Sequence, residues 1–300
     1  MDNPIGFPNS NIESLDPHFL EKAEQCPACK AEAKELLRVP TINPKAQDTL
    51  ALMECLSCGH WWHNPLPDQK YLTKLYEQDS EFVVNAQALT KFGALKEEQL
   101  LKFVKPILKD FPAGKSFNYL EIGSGAGHIL KYFSGLAQSA WGVEPSRAKN
   151  EPKLIPDIDD LPTDIKFDCI VAQDVLEHVT DPSGMLKKIR QRTNKGGLIY
   201  AGFPNKDSFK ARMMKAKWSM VRPVGHLHYF SSASIDRIFK QAGWEVLNKR
   251  PARIGDTSAW EIIKEFDYGM ANLPYRLIKS LLLGQLLLGK DQWKIRAVAL

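Results

Sequence analysis

The order of apolar and polar positions divides the middle of the chain into buried strands and amphipathic helices. An apolar run over 117–122 predicts a buried strand, and apolar residues three and four apart over 129–133 predict a helix directly after it. Two further apolar runs, over 140–143 and 167–172, predict a second and a third buried strand. Strands that alternate with helices in this way are typical of an α/β fold.

The pattern continues toward the C-terminus. Asp181 followed by Pro182 predicts the first turn of a helix, and the segments 198–203 and 243–250 predict strands on either side of a helix over 232–242. The last residues, 293–300, alternate between polar and apolar and then become apolar. We expect this final segment to be folded and buried.

Three glycines at alternate positions lie between the first predicted strand and its helix. Gly123, Gly125 and Gly127 permit positive φ angles, and their missing side chains let a ligand lie against the backbone. The helix N-terminus that follows favours an anionic group. An acid, Glu121, stands just inside the strand end, and a second acid, Glu144, ends the next strand, where a carboxylate usually binds two ribose hydroxyls.

These motifs, with the runs 167–178, 196–205, 226–230 and 242–246 that follow them, resemble the class I S-adenosylmethionine-dependent methyltransferases of the ubiquinone and sugar type. The resemblance implies a Rossmann-like, seven-stranded α/β domain, with residues 293–300 inserted in its sheet as an antiparallel strand. A Rossmann-like domain for a different ligand is the alternative. The residues that the resemblance assigns to the cofactor are Glu121, Gly123, Gly125, Gly127, Glu144, Asp157 and Gln173.

Four of the five cysteines form two C-x-x-C pairs, Cys26 with Cys29 and Cys55 with Cys58. Two such knuckles can complete a tetrahedral shell of four thiolates around a structural zinc ion. Two disulfides or a redox pair are the alternatives. His60 and His63 could replace a thiolate, but packing beside the neighbouring tryptophans is the simpler interpretation.

We therefore predict three parts of the chain. Residues 1–66 form an N-terminal tail and a four-cysteine zinc ribbon, and residues 67–115 form a helical linker whose longer helix closes near Pro106. Residues 116–300 form the methyltransferase domain, with a basic lid over 205–225 and a helical insertion over 256–290. The linker helices either cover the cofactor and acceptor or simply pack on the sheet edge.

Polar side chains follow the third predicted strand, at the sheet edge where ligands of open α/β folds bind. Asp174, Glu177 and His178 could bind a divalent cation, and ubiquinone-biosynthesis O-methyltransferases resemble this with an acid-x-x-Glu-His metal site. Alternatively, Asp174 and Glu177 are a helix N-cap and its N3 partner. His178, His226 and His228 are the candidate catalytic bases, since a hydroxyl acceptor needs a base near the methyl group.

The charges of the lid segment and of the N-terminal region indicate which kind of acceptor the protein binds. The lid segment between Lys206 and Arg222 has six basic residues and one acid, which favours an anionic acceptor, although a solvated basic face is an equal alternative. We expect Phe209, Met213 and Ala216 to form its buried stripe. Residues 1–66 have nine acids and five bases, 5 − 9 = −4, so this ribbon does not resemble one that grips a nucleic-acid backbone.

The predicted function is methyl transfer from S-adenosylmethionine to a hydroxyl of a sugar, a glycan precursor or a similar anionic metabolite. An RNA methyltransferase that positions RNA with its ribbon, and a non-catalytic scaffold, are the alternatives. A hydrophobic content of 44% and a net charge of +5 are those of an ordinary globular chain. Without an N-terminal apolar segment or a span of about 20 apolar residues, we expect a cytoplasmic protein whose leucine-rich 281–288 is a buried cap or a homodimer face.

Overall fold

Two β-sheets organise the part of the chain that the structure, a computed structural model, describes. The described residues are 22–40, 49–72, 97–125, 127–145, 153–223, 225–252 and 290–300. Most of the predicted linker and of the helical insertion over 256–290, including the leucine-rich 281–288, lies outside them. Among the described helices, none is both long enough and apolar enough to cross a bilayer.

The larger sheet has seven strands. They are β4 (Asn118–Ile122), β5 (Ser139–Val143), β6 (Leu154–Ile155), β7 (Phe167–Gln173), β8 (Thr193–Pro204), β10 (Trp244–Ala252) and β11 (Gln292–Ala299). Their order in the sheet is β10-β11-β8-β7-β4-β5-β6. Neighbouring strands from β8 to β6 are parallel, and β11 is antiparallel to both β8 and β10. This confirms the predicted seven-stranded α/β fold and its final antiparallel strand.

Helices cover both faces of this sheet. The described α-helices are α1 (Glu97–Asp110), α2 (His128–Ser134), α3 (Pro182–Gln191), α4 (Phe209–Met214) and α5 (Ser232–Gln241). Because side chains alternate along a strand, Tyr119 and Val171 face a cluster with α1 and α2, whereas Leu120 and Ile170 face a cluster with α3 and α5. Cys169 lies in the first cluster and is fully buried, as expected of a core residue.

The prediction that the linker helix closes near Pro106 is wrong, because α1 continues to Asp110. Val104 and Ile107 on either side of the proline are buried against the sheet. The Asp110 carboxylate accepts two hydrogen bonds from Arg296 of β11, at 2.6 and 2.8 Å. Packing and this bidentate ion pair offset the backbone hydrogen bond that the proline removes.

The smaller sheet joins the N-terminal cysteine region to the larger domain. Its order is β1 (Ala33–Pro40), β2 (Thr49–Cys55), β3 (Trp61–Asn64) and β9 (His228–Tyr229), with antiparallel neighbours. We call residues 22–64 the ribbon. Its third strand is thus paired with a strand that lies far beyond it in sequence, inside the predicted methyltransferase domain.

The predicted buried stripe of the lid is wrong. Phe209 is 43% exposed and Met213 is 65% exposed, whereas Ala211 of the same helix is buried. The opposite face of α4 is the one that packs, because Ala211 and Trp218 lie in a cluster with Leu52, Trp61 and Tyr229. The lid segment therefore rests on the ribbon.

Candidate active site

The glycine loop joins β4 to α2 at the carboxyl edge of the sheet. All three glycines have positive φ, as predicted: 67° at Gly123, 50° at Gly125 and 76° at Gly127. A Cβ at Gly123 would lie 2.6 Å from Cγ2 of Val175, so that position excludes a side chain. Among the described residues, no atom lies within 4 Å of a Cβ added at Gly125 or Gly127, so the backbone is open there to that part of the chain.

Glu144 connects the loop with the next strand. Its Oε2 accepts a hydrogen bond from the Gly125 backbone N–H at 2.7 Å. Ser124 within the loop is buried, and its hydroxyl has no hydrogen-bond partner among the described residues. An open glycine cradle, a carboxylate beside it and an orphaned hydroxyl fit a nucleoside-containing ligand with polar groups.

Glu121 lies under the loop and is nearly fully buried. Burial raises the pKa of its carboxyl to about 8, although the Tyr119 hydroxyl, which donates to it at 3.3 Å, opposes this shift. In this environment a cation beside Glu121 would be strongly favoured, because it would replace the lost solvation of the carboxylate.

The two remaining predicted cofactor residues occupy the same edge. Asp157 follows β6 and is exposed, and its carboxylate accepts a hydrogen bond from Asp159 N at 2.9 Å as the N-cap of a short 3-10 helix. Gln173 ends β7, where its Oε1 accepts from Nζ of Lys294 at 2.6 Å. Their contact with the cofactor stays a prediction.

The four cysteines of the ribbon converge as predicted. Their sulfur atoms lie within 4.8 Å of one another, with 3.5 Å between Cys29 and both Cys55 and Cys58 and 3.7 Å between Cys26 and Cys58. A tetrahedral site with Zn–S bonds of about 2.3 Å has S···S edges of about 3.8 Å. The donor set and its spacing therefore fit a zinc ion bound by four thiolates.

The chain after β7 forms a turn, and the predicted helix start at Asp174 is wrong. Asp174 has a φ of 54°, whereas a helix N-cap has extended backbone, and His178 N bonds to Val175 O within the turn. Asp174 is exposed as a residue, and its carboxylate accepts a part-buried hydrogen bond from Gln292 Nε2 at 2.9 Å. It is also absent from the cluster of possible metal ligands described next, so the predicted trio of Asp174, Glu177 and His178 is corrected.

Glu177, His178 and His226 form that cluster, with one ligand atom from each within 4.8 Å of the others. Oε1 of Glu177 lies 3.9 Å from Nε2 of His178, and the two imidazole rings meet edge to face with centroids 4.8 Å apart. Glu177 is only 1% exposed, and its Oε2 has no hydrogen-bond partner among the described residues. Sequence spacing alone could not show that His226, far beyond His178 in the chain, replaces Asp174.

Backbone carbonyls fix the tautomers of both histidines. Nδ1 of His178 lies 2.7 Å from Gly225 O, and Nδ1 of His226 lies 2.8 Å from Met220 O. A carbonyl only accepts, so each Nδ1 carries the hydrogen and each Nε2 keeps a lone pair. Carbonyl-held imidazoles of this kind are typical of metal ligands and of oriented bases.

Burial sets the charge of the cluster. It lowers the pKa of His178 to about 4, and together with the neighbouring His178 and Arg222 it lowers the pKa of His226 well below its usual range. Burial also raises the pKa of Glu177 well above its usual range. The two imidazoles are therefore neutral near pH 7, as a metal ligand or a general base must be.

His228, the third candidate base, points away from this cluster. It is fully buried, and its Nε2 lies 3.2 Å from Thr180 O while its Nδ1 lies 3.1 Å from Nε2 of His60. Both of its nitrogens thus have partners. The structure brings two of the three predicted histidines together and places the third behind them.

Comparison with known proteins agrees with this geometry. A family model described as a methyltransferase domain matches residues 92–249, which is more than half of the chain. The chain belongs to this family. It is a class I, S-adenosylmethionine-dependent methyltransferase, and the glycine loop and Glu144 lie within the matched residues.

Relatives and solved structures resemble the methyltransferase at low identity. An uncharacterised protein of Methanocaldococcus jannaschii is 25% identical over 146 residues, 47% of this chain and 70% of that protein. The ubiquinone biosynthesis O-methyltransferase of Rhodopseudomonas palustris is 28% identical over 116 residues, 34% of this chain and 46% of that enzyme. The match therefore spans less than half of the ubiquinone enzyme.

Among solved structures, two support the fold. A complex of the Haloferax volcanii Trm112 methyltransferase activator with a methyltransferase gives a TM-score of 0.51 at 16% identity, covering 75% of this chain and 97% of that one. Magnesium protoporphyrin IX methyltransferase of Synechocystis with bound SAH gives 0.50 at 13% identity, covering 78% and 100%. At these identities the likeness concerns the fold alone.

Proposed function

We propose that this methyltransferase transfers a methyl group to a hydroxyl of a small anionic acceptor, such as a sugar or glycan precursor. The observation that carries the proposal is the cluster of Glu177, His178 and His226 at the carboxyl edge of the sheet, in which Glu177 and His226 are buried and His178 is partly exposed. Neutral, oriented imidazoles are the groups that methylation of a hydroxyl requires, whereas a nitrogen acceptor needs less help. S-Adenosylmethionine supplies an activated methyl group for an in-line displacement.

Different residues of the chain bind the methyl donor and the acceptor. The glycine loop and Glu144 hold the nucleoside part of the donor, and Glu121 faces its cationic amino-acid part. The acceptor oxygen lies beside the two Nε2 lone pairs, one of which accepts the hydroxyl proton as the methyl group is transferred. Holding both reactants near attack geometry, away from water, contributes most of the acceleration.

The same cluster fits a divalent cation as an alternative to the base, because a cation there would occupy both Nε2 lone pairs and would itself activate the acceptor hydroxyl. One carboxylate and two imidazoles with free Nε2 atoms are a common donor set for first-row metals. The unpartnered, buried Oε2 of Glu177 supports this assignment, since a buried carboxylate without a partner is costly. A cation held there would lower the pKa of the acceptor hydroxyl.

Arg222 supports an anionic acceptor. It ends the basic lid segment, is half-buried, and lowers the pKa of both His178 and His226 through its charge. Two other lid bases are used within the fold, because Lys210 pairs with Asp291 at 3.0 Å and Lys206 with Asp207 at 3.3 Å. Arg222 is therefore a lid cation whose field reaches the proposed acceptor site.

The ribbon cysteines are proposed to bind one structural zinc ion. Four thiolates leave no open position for catalysis. Elemental analysis of the purified chain should give about one zinc per chain, and Cys29→Ser should lower that content. A zinc-free, fully active protein would exclude this assignment.

The main test is methyl transfer from labelled S-adenosylmethionine to a panel of nucleotide sugars and phosphorylated sugars, with and without added Mg²⁺ or Mn²⁺. In Glu177→Gln, the rate of methyl transfer should no longer depend on the cation. The carboxylate of Asp174 lies outside the cluster, so Asp174→Asn is the matched control, and its rate of transfer should still depend on the cation. Cation-dependent transfer that is lost in Asp174→Asn and kept in Glu177→Gln would overturn the assignment.

The same assay separates the alternatives. Transfer to RNA, with retention on RNA that falls steeply with salt, would favour the RNA methyltransferase. Binding of S-adenosylmethionine without transfer to any acceptor class would favour a scaffold.

A further inference from the structure

The turn that carries Glu177 and His178 is held by the segment around β9. The backbone N–H groups of Leu227 and His228 both donate to Glu177 O, at 2.6 and 3.2 Å. The His228 side chain holds the far end of the same turn through Thr180 O. The position of the cluster therefore depends on where His228 lies.

His228 is in turn held by His60 of the ribbon. Because Thr180 O can only accept, Nε2 of His228 carries the hydrogen and its Nδ1 is an acceptor. Nε2 of His60, 3.1 Å from that Nδ1, must then donate. The two rings stack with centroids 5.3 Å apart, and both residues are fully buried.

Further contacts fix the ribbon to the same segment. Trp62 pairs with His228 between β3 and β9, and His63 N donates to Leu227 O at 3.1 Å. The Ser231 hydroxyl donates to Cys58 O, next to the second cysteine knuckle. His60 follows Cys58 by two residues, so the geometry of the knuckle sets the position of its ring.

We propose that His60 is a positioning residue for the acceptor site, through which the ribbon holds His228 and the Glu177–His178 turn in place. The proposal rests on the proposed function in one respect, the location of the acceptor at Glu177, His178 and His226. It assigns the ribbon a part in the reaction that needs no contact with substrate.

The test compares three substitutions of His60 in the whole 300-residue chain, loaded with zinc. Glutamine places an amide N–H at about the reach of Nε2, asparagine is polar but too short, and leucine fills the space without a donor. Zinc content and the free energy of unfolding in urea report that each variant is folded. If His60→Leu does not fold, the His60→Gln and His60→Asn pair decides.

Two readouts are used. Mn²⁺ affinity should fall about 10–100-fold in His60→Leu and His60→Asn and stay within about threefold in His60→Gln, as for groups that orient metal ligands. Long-range ¹H–¹⁵N spectra of histidine-labelled protein report which nitrogen of each imidazole is protonated. His178 should be the Nδ1–H form in the wild type and in His60→Gln, and a mixture in the other two.

The outcomes are separable. If the wild type binds no Mn²⁺, the cation part of the proposed function fails, and the histidine spectra still decide the role of His60. If folded His60→Leu or His60→Asn keeps both the wild-type His178 spectrum and the wild-type Mn²⁺ affinity, His60 is a packing residue and the inference is overturned. If all three variants, His60→Gln included, lost the Mn²⁺ affinity and the wild-type His178 spectrum, a role for the hydrogen-bond donor at residue 60 would also be contradicted.

Discussion

Glu144, directly after β5, accepts a hydrogen bond from the backbone N–H of Gly125 in the glycine loop at 2.7 Å. One carboxylate thus shapes the loop and is proposed to bind the ribose of the donor. Loss of either role weakens the same binding equilibrium.

Glu144→Ala should therefore weaken S-adenosylmethionine binding by about 2 kcal/mol, roughly 30-fold in Kd, as expected for a charged hydrogen-bond partner. Calorimetric titration measures this directly. Glu144→Gln keeps an oxygen that can accept from Gly125 and should lose less. Equal affinity in the wild type and Glu144→Ala would exclude Glu144 from the cofactor site.

Two glycines of the loop should respond differently to alanine. Gly123→Ala combines positive φ with a contact of 2.6 Å to Val175, so it should lower the free energy of unfolding by about 1–3 kcal/mol. The added methyl group of Gly125→Ala meets no atom of the described residues within 4 Å, so this variant should cost about 1 kcal/mol of stability and reduce cofactor affinity instead. Urea unfolding and calorimetry on both variants test this contrast, which equal losses of stability would refute.

Cofactor binding should depend on pH through Glu121. Its pKa of about 8 means that the carboxyl is protonated in the free protein near pH 7. The ammonium and sulfonium charges of the donor favour the carboxylate, so binding lowers this pKa and releases a proton. Affinity should rise with pH and level off above about 8.

Calorimetry in two buffers with different ionisation enthalpies measures the released proton. Glu121→Gln is the control and should bind without proton release. The same raised pKa gives a stability contribution that is present at low pH and is lost as pH rises through about 8. A proton count of zero in the wild type at about pH 7 would show that Glu121 does not face the donor.

The lid helix offers a test of its orientation. Met213→Ser on the exposed face should change the free energy of unfolding by less than about 0.5 kcal/mol. Ala211→Leu on the buried face should cost about 1–3 kcal/mol, because the added atoms have no room against the ribbon. If Met213→Ser lowered the free energy of unfolding more than Ala211→Leu, the buried stripe expected from helical periodicity would be correct instead.

The features that the sequence predicted well are local or are defined by burial on two faces. The strands around Leu120 and Ile170 are apolar throughout because helices cover both sides, and the glycine loop is recognisable because its backbone needs residues without a Cβ. Each of these constraints acts within a few residues. The C-x-x-C pairs were equally readable, since each knuckle is a local turn.

The features that were missed depend on contacts between distant segments. Helical spacing assigned Met213 to the core, but α4 is a single short helix whose orientation is set by the ribbon. Similarly, Asp174 occupies the expected position in the motif, yet its positive φ turns it toward Gln292, and the third member of the cluster comes from His226. Neither partner lies near enough in the chain to leave a periodic signal.

The pairing of β3 with β9 has a consequence for synthesis on the ribosome. His60 and His228 are 168 positions apart, so the ribbon emerges long before the strand that completes its sheet. Until then, β3 presents an unpaired edge with two adjacent tryptophans, which is a template for association with other chains. We expect the isolated N-terminal region to aggregate when it is expressed alone, and a nascent chain stalled before residue 228 to need a chaperone.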